Sequence, residues 1–478
     1  MRAFTFQKII DIIGFKTHQV RFTKLYKRES DMKIALIMVK GNVYGFKNRS
    51  FLFRHMPDSL TLGLLYGIIK KNFPDIEIEF YDETTETVKP EKIKADLIGI
   101  SAITPCVKRA YEYAKIFRLK NIPVFLGGVH ATLLPQEAEE HFDSVICGLA
   151  DDALVELIND FIQSGTIKKR YTQKPDMSFE NMAFPQRNIY EEKNFLATEL
   201  NMVHATYGCP NVCEFCVQPY VCNGYHQRPV DDVIEEIKLI EDEYVEFVDP
   251  NLGKDTNYLK ELCSKIEPLK KHWFAPMTIS VCKDEALLSM LQNSGCCEIL
   301  IGFESVNQGS VKNINKGFNK VEDYKECVKK LHSYGIKVTG SFVLGLDSDD
   351  ENVFKDTLDF ITDAHIDYVR FTINTPYPGT KYYQKMKEEG RIIEDDWNLY
   401  DCQNCVIKPA KMMPQVVEAG HKWLWRNAYS FKNVVKRLSY IDSPIERLIM
   451  ILKNYIFGKV YTKMTLKDKE FIKNIKIS

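Results

Sequence analysis

The sequence predicts an α/β protein with a doubly wound, Rossmann-like sheet first, a partial (β/α)6, TIM-like barrel second and a mostly helical segment at the end. Two observations predict this fold class. Short apolar runs alternate with helical patterns twice along the chain, and the second series is the longer one. In addition, 478 residues are more than one hydrophobic core usually serves, so several domains are expected.

The first series of strands and helices occupies residues 32–165. Its strands are KIALIMVK, IEIEFYDE, DLIGISAIT, IPVFLGG and SVICG, and helical patterns separate most of them. Continuous apolar runs of this kind are typical of parallel strands that are covered on both faces. Residues 1–31 precede this sheet as an N-terminal extension, and the polar stretch 166–194 is predicted to be a linker.

Small polar residues follow two strands of this first sheet. Ser101 and Thr104 follow DLIGI, and Gly127, Gly128, His130 and Thr132 lie in GGVHAT after IPVFL. Ligands of open parallel sheets bind at the carboxyl ends of the strands, and paired glycines let backbone amides approach a large ligand or a phosphate. The alternative is a tight turn from strand to helix with Thr132 as the N-cap.

The second series occupies residues 195–395 and predicts the partial barrel. Its strands are LNMVHATYGC, YVEFVDPN, WFAPMTISV, CEILIGFES, KVTGSFVLGL and DYVRFTIN, again separated by helical patterns. Catalytic groups of such barrels lie at the carboxyl ends of the strands. Residues 396–478 then form a mostly helical C-terminal domain.

Three cysteines stand at the first of these strand ends, in YGCPNVCEFC. Cys209, Cys213 and Cys216 are separated by three and two residues, a spacing that suits thiolate binding of a soft metal. A structural zinc site would need four ligands, usually in two pairs, and no second pair lies nearby. Three cysteines can hold three irons of a cubane cluster, which leaves the fourth iron open to a ligand that is not protein.

The C-x3-C-x2-C motif resembles that of radical S-adenosylmethionine enzymes, and Phe215 matches the aromatic residue usual before the last cysteine. The resemblance implies a 4Fe-4S cluster whose open iron binds S-adenosylmethionine and whose electron cleaves it to a 5′-deoxyadenosyl radical. LIGFES resembles a further family strand, which implies that Glu304 and Ser305 lie near S-adenosylmethionine. FVDPN departs from the family's F-x-D-D-N because Pro250 replaces the second acid, although Asp249 remains.

The first domain resembles the cobalamin-binding domain of the cobalamin-dependent branch of these enzymes, which includes hopanoid methylases and enzymes that modify tetrapyrroles. The stretches PDSLTLGLLY, SAIT and GGVHAT carry this resemblance, and YDCQNC and the following helix resemble a C-terminal tail of the branch. The resemblance implies that the six residues named at the sheet edge, two of them glycines, bind cobalamin. No D-x-H-x-x-G follows the first strand, so the lower ligand of cobalt is not assigned.

The reaction that this resemblance implies is radical methylation of an unactivated carbon in a small-molecule or lipid-like substrate. An external electron donor of the flavodoxin or ferredoxin type would reduce the cluster. Cyclisation, oxidation or rearrangement with the same cofactors is the enzymatic alternative. A cobalamin- or redox-responsive binding protein is the alternative without catalysis, against which the open iron argues, because it is useful mainly for binding a substrate.

Composition and charge exclude several other classes of protein. A net charge of −1 gives no general case for a nucleic-acid partner. No long uninterrupted apolar run predicts a transmembrane helix, and the N-terminus lacks the pattern of a secretion signal. Thirteen cysteines without dense, even spacing favour a reducing compartment, the cytoplasm.

Two features near the C-terminus leave alternatives open. Cys402 and Cys405 form a C-x-x-C pair that could bind a metal, cycle as a disulfide or do neither.

Basic residues alternate with apolar ones in FKNVVKRLSYI and in the final helix. This pattern suits peripheral contact with an anionic membrane surface. It equally suits an amphipathic helix that closes a domain. The oligomeric state is not predicted.

Overall fold

The computed structural model describes residues 32–41, 60–190 and 200–464, with side chains up to Lys459. The predicted N-terminal extension, residues 1–31, lies outside the described residues, as do the first residues of PDSLTLGLLY. Within the described ranges, no helix combines the length and the apolar character that crossing a membrane would require.

The first sheet has six parallel strands in the order β2-β1-β3-β4-β5-β6. The strands are β1 (Lys33–Met38), β2 (Glu77–Asp82), β3 (Leu97–Ser101), β4 (Val124–Gly127), β5 (Ser144–Cys147) and β6 (Arg170–Thr172). The helices are α1 (Thr61–Asn72), α2 (Val107–Leu119), α3 (Val129–Leu133), α4 (Pro135–His141) and α5 (Asp151–Ser164). The strand order reverses between β1 and β3, so the predicted ligand edge lies beside this reversal.

Alternation along β1 explains why the sheet is covered on both faces. Ile34 and Leu36 point into a core formed with α1 and α5, whereas Ala35 and Ile37 point into a second core formed with α2. Successive strand residues face opposite sides, and all four are buried. The predicted doubly wound fold is therefore confirmed.

The stretch 166–194, predicted to be a linker, contributes β6 to the edge of the first sheet. The signal was weak because β6 has three residues, of which Arg170 and Thr172 are exposed and Tyr171 alone is buried. Further along, Arg187 is buried, pairs with Glu236 and donates a hydrogen bond to the carbonyl of Met202 (3.1 Å). The stretch is thus anchored to both domains.

The second sheet also has six parallel strands, in the order β14-β13-β12-β11-β10-β7. They are β7 (Met202–Val203), β10 (Tyr244–Phe247), β11 (His272–Met277), β12 (Cys296–Glu304), β13 (Lys337–Leu344) and β14 (Tyr368–Ile373). The helices are α6 (Gln218–Val221), α7 (Val230–Lys238), α8 (Thr256–Ile266), α9 (Glu285–Asn293), α10 (Gln308–Asn313), α11 (Tyr324–Ser333), α12 (Val353–Asp363) and α13 (Lys381–Glu388). The six predicted barrel strands are all present, and β7 and β14 form open edges, as in a partial barrel.

The helices that cover this barrel are amphipathic, with their apolar residues on the inner face. In α7 these are Val233, Ile234 and Ile237, which join a core that also contains Trp273 and Phe303. Three helices follow: α14 (Pro414–Ala428), α15 (Phe431–Arg437) and α16 (Pro444–Met464). Gly420 of α14 lies so close to α12 that a Cβ atom there would be 2.2 Å from the Phe354 ring.

Candidate active site

A short antiparallel pair of strands encloses the cysteine loop, and its first strand is the second part of LNMVHATYGC, which was predicted as a single strand. The strands are β8 (Thr206–Tyr207) and β9 (His226–Gln227). Gly208 follows β8 with φ +73°, and a Cβ atom there would lie 1.8 Å from the carbonyl oxygen of Gly224. Glycine is required at this position because both the backbone angle and the space exclude a side chain. The two strands therefore bring together the ends of the loop that carries Cys209, Cys213 and Cys216.

Asp249 fixes the start of this loop from the end of β10. Its buried carboxylate accepts hydrogen bonds from the Thr206 hydroxyl (2.6 Å), the Ala205 amide (3.2 Å) and the Thr206 amide. Burial raises the pKa of Asp249 to about 6, although these hydrogen bonds act to lower it. The acid retained in FVDPN thus positions the cysteine loop, and the second acid of the family pattern is not needed for that contact.

Three thiols of the loop are partly accessible, and the fourth is not. Cys209, Cys213 and Cys216 are half-buried, whereas Cys222 is buried against Met177, Met182 and Tyr207. Phe215, predicted as a site residue, packs against Ile314, Val343 and Leu346 and so attaches the loop to the barrel. The neighbouring Glu214 amide donates to the carbonyl of Ile314 (3.1 Å). The loop therefore leaves three soft donors partly accessible and directs its fourth thiol into an apolar cluster.

Glu304 ends β12 and forms a buried ion pair with Lys316. Its backbone has φ +66°, which is rare for a residue with a side chain, and the register of β12 shifts at this point. Gly302 leaves room for the pair, since a Cβ atom there would lie 2.4 Å from Glu304 Oε1. Burial acts to lower the pKa of Lys316, but the Glu304 carboxylate outweighs it and the pKa is raised.

Lys316 also faces the cysteine loop. Burial raises the pKa of the Cys213 thiol to about 11, and the Lys316 ammonium partly opposes that rise. Ser305, the second residue predicted on this strand end, is buried and donates to Asp349 (3.4 Å), which also accepts from Ser310 (2.5 Å). Glu304, Lys316 and the cysteine loop therefore form one charged cluster, while Ser305 belongs to a hydrogen-bonded turn beside it.

The residues predicted at the edge of the first sheet also lie together. Ser101 pairs in register with Gly127 across β3 and β4. Gly128 has φ +95° and ψ −172°, a region that glycine occupies almost alone. A Cβ atom on Gly127 would have no neighbour within 4 Å, so this position borders open space. Thr132 lies within α3, so the alternative that made it the N-cap is wrong.

His130 is fully buried and lies behind this edge. Its ring nitrogens contact the Thr104 hydroxyl (3.3 Å) and the Tyr111 hydroxyl (3.1 Å). Tyr111 donates to Glu137 (2.9 Å), which also accepts from the indole of Trp397 (2.9 Å). Thr104 and His130 thus connect the edge to a hydrogen-bonded network in which the C-terminal domain takes part.

The two candidate sites face each other across the domain boundary. Helix α3, which follows Gly128, contacts α6, which follows the cysteine trio. Gly379, after β14, has φ +77°, and a Cβ atom there would lie 2.2 Å from the carbonyl oxygen of Leu133. The carboxyl edge of the first sheet and the mouth of the barrel are therefore adjacent.

Sequence profiles of two families match this chain, one for each domain. The profile of the Radical SAM superfamily matches residues 203–361, and the profile of the B12 binding domain matches residues 73–158. The chain belongs to the cobalamin-dependent radical S-adenosylmethionine enzymes. Its cofactors are accordingly a 4Fe-4S cluster, S-adenosylmethionine and cobalamin.

Relatives of this cobalamin-dependent enzyme extend over most of its length. A bacteriochlorophyllide d C-12(1)-methyltransferase from Chlorobaculum tepidum is 29% identical and covers 85% of this chain and 89% of that protein. An anaerobic magnesium-protoporphyrin IX monomethyl ester cyclase from Cereibacter sphaeroides is 24% identical, covering 72% and 62%. The solved structure of the methyltransferase TsrM from Kitasatospora setae, with cobalamin and a [4Fe-4S] cluster, gives a TM-score of 0.61 at 16% identity, covering 75% and 78%. That structural likeness confirms the fold.

The donors at the barrel mouth suit the cofactors of this enzyme class. Across the described residues no three His, Cys, Asp or Glu side chains, the trio included, are close enough to hold a metal ion. The trio nevertheless supplies the three soft donors that a cluster with one open iron requires.

Three polar side-chain atoms near the barrel mouth are buried without a hydrogen-bond partner among the described residues. They are Nδ1 of His204 and Oδ1 of Asn251 and Asn374. Each follows a barrel strand, where a polar ligand could satisfy it.

Several residues of this site were not predicted, or were predicted without a role. The role of Lys316 was not predicted, because nothing in the sequence shows that it pairs with Glu304. Cys402 contacts the Tyr377 hydroxyl (3.2 Å) and Cys405 donates to the Ile407 carbonyl (3.3 Å), so these two thiols are not bonded to each other. Cys282 and Cys327 form a disulfide, which the expectation of reduced cysteines did not include.

Proposed function

We propose that this enzyme transfers a methyl group to an unactivated carbon of a small-molecule or lipid-like substrate. One observation carries the proposal: the helix after the glycine-lined edge contacts the helix after the three-cysteine loop, so that both sites can border one substrate cleft. A methyl carrier on one side and a radical initiator on the other can then act on one bound substrate. The bacteriochlorophyllide methyltransferase that is 29% identical supports a methyl transfer.

The cysteine trio is assigned to three irons of the cluster, with Phe215 holding the loop in place. Glu304 and Ser305 are assigned to the S-adenosylmethionine side of the cleft. The residues assigned to cobalamin are Ser101, Thr104, Gly127, Gly128, His130 and Thr132. When bound, these cofactors supply the radical that removes a substrate hydrogen and the methyl group that replaces it.

The protein's own residues position and desolvate these groups. Asp249 holds the first turn of the cysteine loop through three hydrogen bonds, and Cys222 packs away from the trio. Gly127 and Gly128 expose backbone at the opposite wall, and Thr132 closes that turn by donating to the Gly128 carbonyl (3.1 Å). His130 supports Thr104 from behind. Because it is fully buried, its contribution to cobalamin binding is through Thr104.

Cyclisation, oxidation or rearrangement with the same cofactors is the second candidate function. A specific observation favours it: the magnesium-protoporphyrin ester cyclase is similar over 72% of this chain. Both reactions need the same cluster, the same cobalamin edge and the same cleft. They differ in whether the product gains a methyl group.

The experiment that separates these functions follows an isotopic label. The full-length enzyme is reconstituted anaerobically with iron, sulfide and cobalamin and supplied with methyl-deuterated S-adenosylmethionine, a flavodoxin reducing system and bacteriochlorophyllide d as the probe. We expect 5′-deoxyadenosine together with a product that carries the deuterated methyl group. A turned-over probe without the label would establish the second candidate function. Failure to form 5′-deoxyadenosine with an assembled cluster would overturn both.

A matched pair of variants shows whether the reaction depends on the trio. Cys216→Ser should abolish 5′-deoxyadenosine formation, whereas Cys222→Ser, in the same loop, should retain it. We further propose that the physiological electron donor is of the flavodoxin or ferredoxin type and that the enzyme works in the cytoplasm. A reducing compartment would keep the trio available for iron.

A further inference from the structure

Helix α16 has two apolar faces, of which only one is covered among the residues that the structure describes. Met450 and Asn454 are buried, and Phe457 packs against the core at Tyr368 and Tyr429. The opposite face is exposed and carries large apolar side chains: Ile445, Leu448, Ile449, Leu452, Tyr455 and Ile456. These positions recur every three or four residues, so they form one continuous stripe along the helix.

The stripe is strongly exposed for side chains of this size. Ile445 is 74% exposed, Leu448 57% and Leu452 53%. Phe431, at the start of the preceding helix α15, is 71% exposed as well. Single exposed leucines are ordinary on a protein surface, but a contiguous apolar stripe marks a surface that binds something.

Positive charge accompanies this apolar stripe. Lys432, Lys436, Lys453 and Lys459 are exposed on α15 and α16, and the Lys459 ammonium lies 4.5 Å from the centre of the Tyr455 ring. Residues 444–478 contain eight lysines and arginines and three acidic residues, a net charge of +5, in a chain whose total charge is −1. Of these, Arg447, Lys453 and Lys459 lie on the described part of α16 that carries the stripe, together with one acidic residue, Glu446.

We propose that this α16 stripe, flanked by lysines, binds the surface of an anionic lipid membrane. An apolar helix face at the level of the acyl chains, with lysines that reach the headgroups, is the arrangement of interfacial helices. Several lysines beside the stripe give the preference for anionic lipids. A second copy of this chain would bring like charges together across the interface, so the charge favours lipid over self-association.

The stripe lies at the end of the barrel opposite to the cysteine loop. Tyr368, which begins β14, contacts Met450, and Lys337, which begins β13, pairs with Glu446 (3.1 Å). The cysteine loop lies at the carboxyl ends of the strands. Membrane binding is therefore independent of the cluster and of the proposed methyl transfer, and a variant that loses the cluster should still bind lipid.

The test is sedimentation of the full-length protein with vesicles. Wild type should sediment with phosphatidylcholine vesicles that contain phosphatidylglycerol and remain in solution with phosphatidylcholine alone. Leu448→Glu/Leu452→Glu should reduce binding to the level of the neutral vesicles. The matched control is Leu119→Glu/Leu239→Glu, at two leucines that are 77% and 58% exposed elsewhere, and it should bind as wild type does. The melting temperature of each variant checks that it is folded.

A second measurement reports the depth of insertion. Tyr455→Trp should gain fluorescence quenching by brominated lipids, whereas Tyr244→Trp, at an exposed tyrosine on β10, should not. The proposal would be overturned if the wild-type protein did not sediment with anionic vesicles. It would also be overturned if the Leu448→Glu/Leu452→Glu variant bound them as fully as wild type does. A wild-type dimer that this variant converts to a monomer, without vesicle binding, would assign the stripe to a second copy of the chain instead.

Discussion

The mouth of the barrel and the edge of the first sheet, which we propose bind the cluster and cobalamin respectively, differ in their chemistry. The barrel mouth contains charged and ionisable side chains held at low exposure: the Glu304 and Lys316 pair, Asp249 and the cysteine trio. The sheet edge contains glycine backbone and neutral hydrogen bonds, with Gly128 in a conformation almost reserved for glycine.

This difference in chemistry matches the way in which proteins recognise each of the two kinds of cofactor. A cluster and a charged sulfonium ligand are recognised by specific donors and charges, so the loss of one partner leaves another uncompensated. A large corrin is recognised chiefly by shape, so added side-chain volume should matter more than lost charge. Cofactor binding at the barrel mouth is therefore expected to be sensitive to the charge and donor type of its side chains. Cofactor binding at the sheet edge is expected to be sensitive to side-chain volume.

The largest effect is expected for the trio itself. Cys213→Ala should prevent assembly of the cluster, because two thiols cannot hold three irons. Iron and sulfide content after anaerobic reconstitution, with the visible absorption of the cluster, measures the loss. Cys222→Ala is the control and should assemble a normal cluster. Equal iron content in the two variants would show that the trio does not hold the cluster.

The second largest effect is expected for the buried ion pair between Glu304 and Lys316. Lys316→Met should lower the free energy of unfolding by about 3–5 kcal/mol, because it leaves the Glu304 carboxylate buried without a partner. Urea unfolding of cofactor-free protein measures this. The double variant Glu304→Gln/Lys316→Met should recover part of the loss, and Lys320→Met, exposed in the same turn, should have no measurable effect. A double variant less stable than Lys316→Met would contradict the argument.

The next effect concerns pH and Asp249. Burial raises its pKa to about 6 in the folded protein, against about 4 for an exposed aspartate. The folded state therefore holds this proton more tightly. Its contribution to stability is complete below about pH 4 and is lost as the pH rises through about 6, on the order of 3 kcal/mol in total.

The difference in unfolding free energy between wild type and Asp249→Asn isolates this contribution. Across that pH range wild type should lose stability relative to the variant, which has no proton to release. Asp349, whose pKa burial also raises to about 6, is present in both proteins and cancels. Parallel pH profiles for the two proteins would show that Asp249 does not titrate in this way.

The smallest effects on stability are expected at the sheet edge. Gly128→Ala should cost about 1–3 kcal/mol, since its backbone conformation is almost closed to other residues. Gly127→Val should leave stability almost unchanged, because its Cβ atom would enter open space. The same substitution should weaken cobalamin binding, measured by the absorption of the bound cofactor, if that space receives the corrin. Undiminished cobalamin binding by Gly127→Val would remove this position from the cobalamin site.

Sequence patterns identified the two sheets because local chemistry repeats in them. Alternating buried residues such as Ile34 and Ala35 predict a strand covered on both faces, and the strand ends then predict where Ser101, Gly127 and Glu304 lie. The strand β6 was missed because one buried tyrosine in three residues carries no periodic signal. The strand β9 and its pairing with β8 were missed because each strand has two residues and the cysteine loop separates them.

The sequence by itself determined the fold class, the spacing of the three cysteines that we propose as donors, and the placement of the candidate residues at or shortly after strand ends. These properties depend on residue type and on spacing within a few positions. Only the tertiary structure decided that Lys316 neutralises Glu304, that Asp249 holds Thr206, that Cys222 is withdrawn from the trio and that His130 is buried behind Thr104. Such contacts join segments distant in the chain, and whether two of them meet is decided by packing rather than by any local pattern.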